Sequence, residues 1–371
     1  MALSIFIDAL PFSEIENRYQ NWFDGQQFAK VLPNIAYSSS LHWQLYCDKY
    51  PDERGVLVDW CMEKEKDRSV RVISKLFRFM DYTGDLGIIF KKILSKYVYR
   101  KNAFANIPFR FRADFSEKGE YLFWRSETYR RESVFDGYMV ISQDENHISF
   151  DKTIQNLHSA IESGVTNIFL NTGFADSIGH VNQRGEQYSY ALGLEMEKLR
   201  KEIAFYLEKH PDQEIIIVSD HGMSTIHNMI DLKLESYFGK QSKDSYIAYS
   251  DSCIMCVWVY DDGLREPIEN YLLSRTEGHL LSNEDREYYR ATDKKFGDFL
   301  YVLKEGNCFL NNWFGKSFKK PSANGQGMHG FWPEWSAYDQ LASVILINSG
   351  RHLADKYTYP EVHLLIKEVM H

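Results

Sequence analysis

The sequence predicts an α/β protein with a mostly parallel central sheet covered by helices on both faces. Three observations predict it. Short, near-continuous apolar runs rich in β-branched residues recur along the chain, as buried parallel strands require. Helical patterns separate them. Asp and His residues cluster just beyond several runs, where active sites of open α/β sheets gather. The expected strands are Leu3–Ile7, Val56–Val58, Asn167–Leu170, Glu214–Val218 and Ser343–Ile347. Tyr188, Leu192, Met196, Leu199, Ile203 and Leu207 recur at three- and four-residue steps, so a long amphipathic helix is expected there. A last helix is expected over Pro360–Met370, with proline at its start. Two stretches break the rhythm, about 62–145 and about 228–320. They read as cap insertions in a single catalytic domain spanning 1–371. The second contains an expected strand, Ile254–Tyr260, and the hairpin-like FLYVLKEGNCFLNNWF.

The 371 residues carry a net charge of −9, with 26% charged and 44% hydrophobic residues. These fractions exclude a disordered, collagen-like or disulfide-stapled chain. The acidic balance argues against a long nucleic-acid footprint, which needs clustered Lys and Arg. A small anionic substrate stays compatible, because a bound cation reverses the local field. No apolar run reaches the roughly 18 residues of a membrane span. The first ten residues lack a basic segment and include Asp8, so no secretory leader is expected. Five cysteines without a framework pattern point to a reduced, cytoplasmic protein.

The chemistry concentrates in five islands: IFIDAL with Asp8, AYSSSLHW with Ser38, Ser39 and Ser40, ADSIGH with Asp176 and His180, VSDHGM with Asp220 and His221, and GMHGFW with His329. Taken singly, each has an ordinary reading: a strand-terminal Asp is often a cap or turn residue, and a serine run often starts a helix. Together, three Asp and three His at strand ends supply a mixed nitrogen and oxygen donor set suited to zinc or manganese.

These islands resemble the alkaline phosphatase superfamily, and within it the nucleotide pyrophosphatase/phosphodiesterase branch. SDHGM, D-x-x-x-H and a later His before Gly carry the resemblance. KYPDERGV at 49–56, FGDFLYVLKEGN at 296–307 and the closing ASVILINSG and YPEVHLLIKEVM extend it along the chain. The resemblance implies an alkaline-phosphatase-like core and two divalent metal ions, usually zinc, with manganese as the alternative. One ion would be held by Asp176, His180 and His329, the other by Asp8, Asp220, His221 and the nucleophile hydroxyl. Counting back from the KYPDERGV segment places Ser38 at the nucleophile position and His42 at a following histidine, with Ser40 as the runner-up nucleophile. The implied reaction is hydrolysis of a phosphodiester or phosphoanhydride in a small-molecule phosphate ester, through a phosphoseryl intermediate. A phosphomonoesterase or phosphotransferase is the alternative, and an inactive metal-binding scaffold a third reading.

Three positions depart from the branch. Ala9 stands where Gly is common. Ser39 replaces an aromatic that stacks on a nucleotide base. Asp59 replaces an Asn that donates to the phosphoryl oxygen, and an ionised Asp has only acceptors. Asp59 and His42 are candidate substrate contacts. Elsewhere, Cys253 and Cys256 have CxxC spacing but no second pair, and read as structural. The basic and aromatic stretch from Arg100 to Arg131 reads either as a solvated face or as a lid over an anionic substrate.

Overall fold

The computed structural model describes residues 2–35, 37–99, 107–117, 127–143, 148–182, 184–309, 326–333 and 340–371. The chain divides into two compact units, one of residues 1–49, 121–227 and 324–371, the other of 50–120 and 228–323.

The first unit is built on a seven-stranded sheet. Its strands are β1 (Ala2–Ile7), β2 (Gln27–Val31), β3 (Met139–Ser142), β4 (Ile168–Thr172), β5 (Glu214–Val218), β6 (Ala342–Ile347) and β7 (Lys356–Tyr357). Their order across the sheet is β7-β2-β6-β5-β1-β4-β3. β6 runs antiparallel to both its neighbours, and the other pairings are parallel. Side chains of β1 alternate between faces. Leu3, Ile5 and Ile7 meet Leu157 and Ile161 of the helix Phe150–Glu162 and Leu192, Met196, Leu199 and Ile203 of the helix Glu186–Lys209. Phe6 points the other way, 4.2 Å from the His42 ring and 6.0 Å from that of Tyr46. Those two residues belong to the helix Ser38–Cys47, against which the terminal helix Tyr359–Met370 docks through His363 and the Leu45 carbonyl. The sheet is therefore covered on both faces, as expected. In the long helix the buried stripe ends on Tyr206, with Leu207 only half-buried.

Register positions the site. Ile7 is level with Thr172, and Phe6 with Val218. The carboxyl ends of β1, β4 and β5 thus end together, and the loops that follow them converge.

The second unit holds a four-stranded antiparallel sheet in the order Tyr246–Asp251, Ile254–Val259, Phe299–Leu303, Gly278–Leu280. Two expectations are corrected here. Val56–Val58 is a bend, and the strand begins at Trp60, pairing with Phe115–Glu117. All three valine and leucine residues are buried; an apolar run reports burial, whatever the backbone does. The run FLYVLKEGNCF is not a hairpin. Phe299–Leu303 joins the four-stranded sheet, while Asn307–Phe309 pairs in parallel with Asn228–Ile230. The amide of Leu303 donates to Cys253 and that of Lys304 to Glu277, so the turn hands the chain from one ladder to another. The remainder of that motif, from 310, lies outside the described residues, as do Arg100, Lys101 and Arg125 of the basic stretch. Arg112 of that stretch is buried, pairing with Glu65 at 2.6 Å and lying 4.6 Å over the Trp60 ring. It holds its own unit together.

Candidate active site

The loops beyond β1, β4 and β5 bring two donor sets together. Asp8, Asp220 and His221 form one, Asp176, His180 and His329 the other, with the ligand atoms of each set within 4.8 Å of one another. The rings of His221 and His329 stack at 3.7 Å and 10°, so the two sets adjoin. Asp176 and His180 occupy one face of the helix Phe174–Val181 by their four-residue spacing. Asp8 follows β1 directly. Its neighbour Ala9 adopts φ +60°, the left-handed region where glycine is at ease. That conformation turns the Ala9 amide onto Asp220 Oδ1 at 3.3 Å and the Leu10 amide onto Ser219 Oγ at 2.8 Å.

Hydrogen bonding fixes how the imidazoles face. His221 Nδ1 lies 2.9 Å from the Gly222 carbonyl, and His180 Nδ1 3.0 Å from the Gly327 carbonyl. A carbonyl only accepts, so Nδ1 is assigned as the donor in both rings, and a neutral ring carries its lone pair on Nε2. The Nε2 of His221 then faces Asp220 Oδ2 at 3.3 Å and Asp8 Oδ1 at 3.5 Å, and that of His180 faces Asp176 Oδ1 at 3.1 Å. Acceptor faces acceptor. Asp220 Oδ2 and Asp176 Oδ1 are buried with no hydrogen-bond partner among the described residues. Burial, with His221 and His180 nearby, pushes the His329 imidazole well below its ordinary range, so it stays neutral. Burial pushes the Asp220 carboxyl up, and a cation against it would reverse that cost. The arrangement fits divalent cations held through Nε2 and carboxylate oxygens, with the Nδ1 of His221 and of His180 fixed by a backbone carbonyl.

Ser38 opens its helix, preceded by Tyr37 in an extended conformation. Its Oγ lies 3.1 Å from His221 Nε2 and 3.4 Å from Asp8 Oδ1. Ser40 is buried and accepts from Gln44 Nε2 at 3.4 Å, pointing along its own helix. His42, expected as a substrate contact, is only 2% exposed, and its ring packs between Phe6 and Tyr46. Burial and the nearby His221 hold it neutral.

Asp59 lies in the second unit. Burial pushes its carboxyl up, and its backbone N–H donates to the carboxylate of Asp251. Asp251 is itself pushed up to about 7, by burial first and then by the charge of Asp59. Burial thus pushes both carboxyls of the pair up.

Sequence reasoning missed three supports of the site. The Ser219 hydroxyl donates to the His221 carbonyl at 2.9 Å, the Tyr359 hydroxyl donates to the Asp220 carbonyl, and Gly327 orients His180. Ser219 and Gly327 sit inside recognised islands and Tyr359 opens the recognised YPEVHLLIKEVM segment, but nothing in those motifs assigns the three a role.

No family model matches the sequence, and no curated protein matches it. Among solved structures, human ectonucleotide pyrophosphatase/phosphodiesterase 5 superposes with a TM-score of 0.62 at 12% identity, covering 100% of this chain and 94% of that one. The murine protein superposes at 0.60, and an inactive variant of it in complex with AMP at 0.61, with the same identity and coverage. Over its whole length this chain has the alkaline-phosphatase-like α/β fold of the nucleotide pyrophosphatase/phosphodiesterase structures.

Proposed function

We propose that the protein is a metal-dependent hydrolase that cleaves a phosphodiester or phosphoanhydride bond in a small-molecule ester, with Ser38 as nucleophile. The observation that carries this reading is the meeting of two acceptor-rich donor sets beside the Ser38 hydroxyl. Asp8, Asp220 and His221 would hold one divalent cation and Asp176, His180 and His329 the other, zinc by their chemistry, with manganese the alternative. When bound, the cations lower the pKa of the serine hydroxyl and offset charge on the phosphoryl oxygens. Ser38 Oγ attacks phosphorus in line, forming a seryl–phosphorus bond as the bond to the leaving oxygen breaks. Water then cleaves the seryl ester and restores the hydroxyl. The amides of Ser40 and Leu41 donate to the Tyr37 carbonyl at 2.8 and 3.0 Å, which leaves those of Ser38 and Ser39 at the helix start to suit an anionic phosphoryl group. The AMP complex of the murine structural relative supports a nucleotide as one candidate substrate. With Ser39 in place of an aromatic, base stacking at that position contributes nothing here. Five free, buried cysteines support a reducing compartment, and no helix among the described residues is long and apolar enough to cross a membrane.

Hydrolysis of bis(p-nitrophenyl) phosphate and of p-nitrophenyl phosphate, with zinc or manganese and with EDTA as control, tests the reading. Faster, chelator-sensitive cleavage of the diester is expected. Preference for the monoester would favour a phosphomonoesterase, and metal without turnover a scaffold.

A further inference from the structure

Residues 68–99 of the second unit carry an outer face that the proposed hydrolase chemistry does not use. The segment folds as the helix Arg68–Leu76, a 3₁₀ turn Arg78–Tyr82, the helix Asp85–Ile93 and a wider turn Leu94–Tyr99. Its inner side is satisfied: Val70 and Leu94 pack on Phe109, with Ile73, Phe77, Met80 and Phe90 against them. The opposite side is apolar as well. Val72 and Leu76, then Leu86, Ile89 and Ile93, recur at helical spacing, and Phe79 stands on the turn between. Nine of the eighteen large hydrophobic residues exposed among the described residues fall between 72 and 98, each 44–71% exposed. A helix apolar on both sides is ordinarily buried on both, and a patch this concentrated marks a surface that meets something.

Charge selects the occupant. The segment holds seven Lys and Arg against two Asp in a chain whose net charge is −9. Arg68, Lys75, Arg78 and Lys96 are exposed among the apolar residues. A second copy joined through this face would set one positive surface against another, because a twofold interface pairs a patch with itself. Apolar side chains that protrude between long cationic ones match a lipid surface instead. The rings and aliphatic groups enter the acyl boundary, while the ammonium and guanidinium groups stay with headgroup phosphates. We propose that the outer face of residues 68–99 docks on an anionic lipid bilayer.

The test is co-sedimentation of the full chain with vesicles of phosphatidylcholine alone or with about 30 mol% phosphatidylserine. The proposal expects partitioning at least about tenfold stronger onto the anionic vesicles, weakening as salt rises. Replacing Phe79→Ser together with Leu86→Ser should lower that partitioning by about tenfold or more. The pair Leu273→Ser and Tyr288→Ser, exposed to a similar degree elsewhere in the same unit, should leave it unchanged. Circular dichroism and the thermal midpoint establish that each variant is folded. The vesicle comparison needs no variant, so it decides even if one fails to fold. Equal partitioning onto the two vesicles, or equal losses in the two variant pairs, would overturn the proposal. So would a dimer in sedimentation that Phe79→Ser with Leu86→Ser dissolves while vesicles bind nothing.

Discussion

Substituting Gly327→Ala should weaken one half of the site without touching any proposed ligand. A Cβ built on Gly327 would lie 2.4 Å from the Gly179 carbonyl oxygen and 2.6 Å from Met223 Sδ. The first contact is roughly an ångström short of a comfortable carbon–oxygen approach, and it involves helix backbone that yields little. Gly327 must therefore retreat, although it is paired with Thr225 across a two-stranded ladder. Its carbonyl accepts from His180 Nδ1 at 3.0 Å, so the retreat pulls on a proposed ligand, and His329 follows two residues later. Overpacking of this kind costs about 1–3 kcal/mol. Disturbing the partner that orients a metal-binding histidine costs about 10–100-fold in metal affinity. Metal content after dialysis at limiting zinc, read beside the thermal midpoint, measures both. Gly179→Ala is the comparison: its Cβ would meet side-chain atoms of Met223 at 2.6 and 2.8 Å, and a methionine can swing away. The effect of Gly327→Ala should be the larger. Wild-type metal affinity and stability in Gly327→Ala would refute the claim that this carbonyl fixes His180.

Other substitutions probe the remaining supports. Asp220→Ala should remove the cation proposed at its own set and abolish turnover, with metal stoichiometry by elemental analysis falling by about half; unchanged stoichiometry would contradict the assignment. Ala9→Gly should raise stability by about 1 kcal/mol, since φ +60° strains an alanine, and the urea midpoint reports it. Asp251→Asn should flatten the pH dependence of stability. With its folded pKa raised to about 7 from 3.8, the folded chain binds the extra proton, so this contribution is full at acid pH and is lost as pH rises through about 7. Urea midpoints at about pH 5 and 8 should therefore differ less in the variant than in the parent, and equal slopes would count against the buried pair.

The site was more legible in the sequence than the second unit. Asp8, Asp176, His180, Asp220 and His221 stand just past strands whose apolar runs are unmistakable, and sheet register brings such positions together. Counting back from KYPDERGV favours Ser38 over Ser40, and the two differ in what they face. Ser38 faces His221 and Asp8, while Ser40 turns to Gln44. For His42 the spacing that aligns it says nothing of direction, and its ring packs against Phe6. Val56–Val58 and the run after Phe299 failed for a related reason: hydrophobicity reports burial, and local sequence does not say which ladder a short strand joins. The stripe of the long helix, by contrast, follows from the 3.6-residue period and was found within one residue of its last buried position.

Turnover and metal content of Ser38→Ala, set beside Ser40→Ala, test the central claim most directly. The account predicts that Ser38→Ala retains both cations and loses cleavage of bis(p-nitrophenyl) phosphate by several orders of magnitude, while Ser40→Ala stays active. Cleavage at the parent rate by Ser38→Ala, with metal still bound, would contradict it.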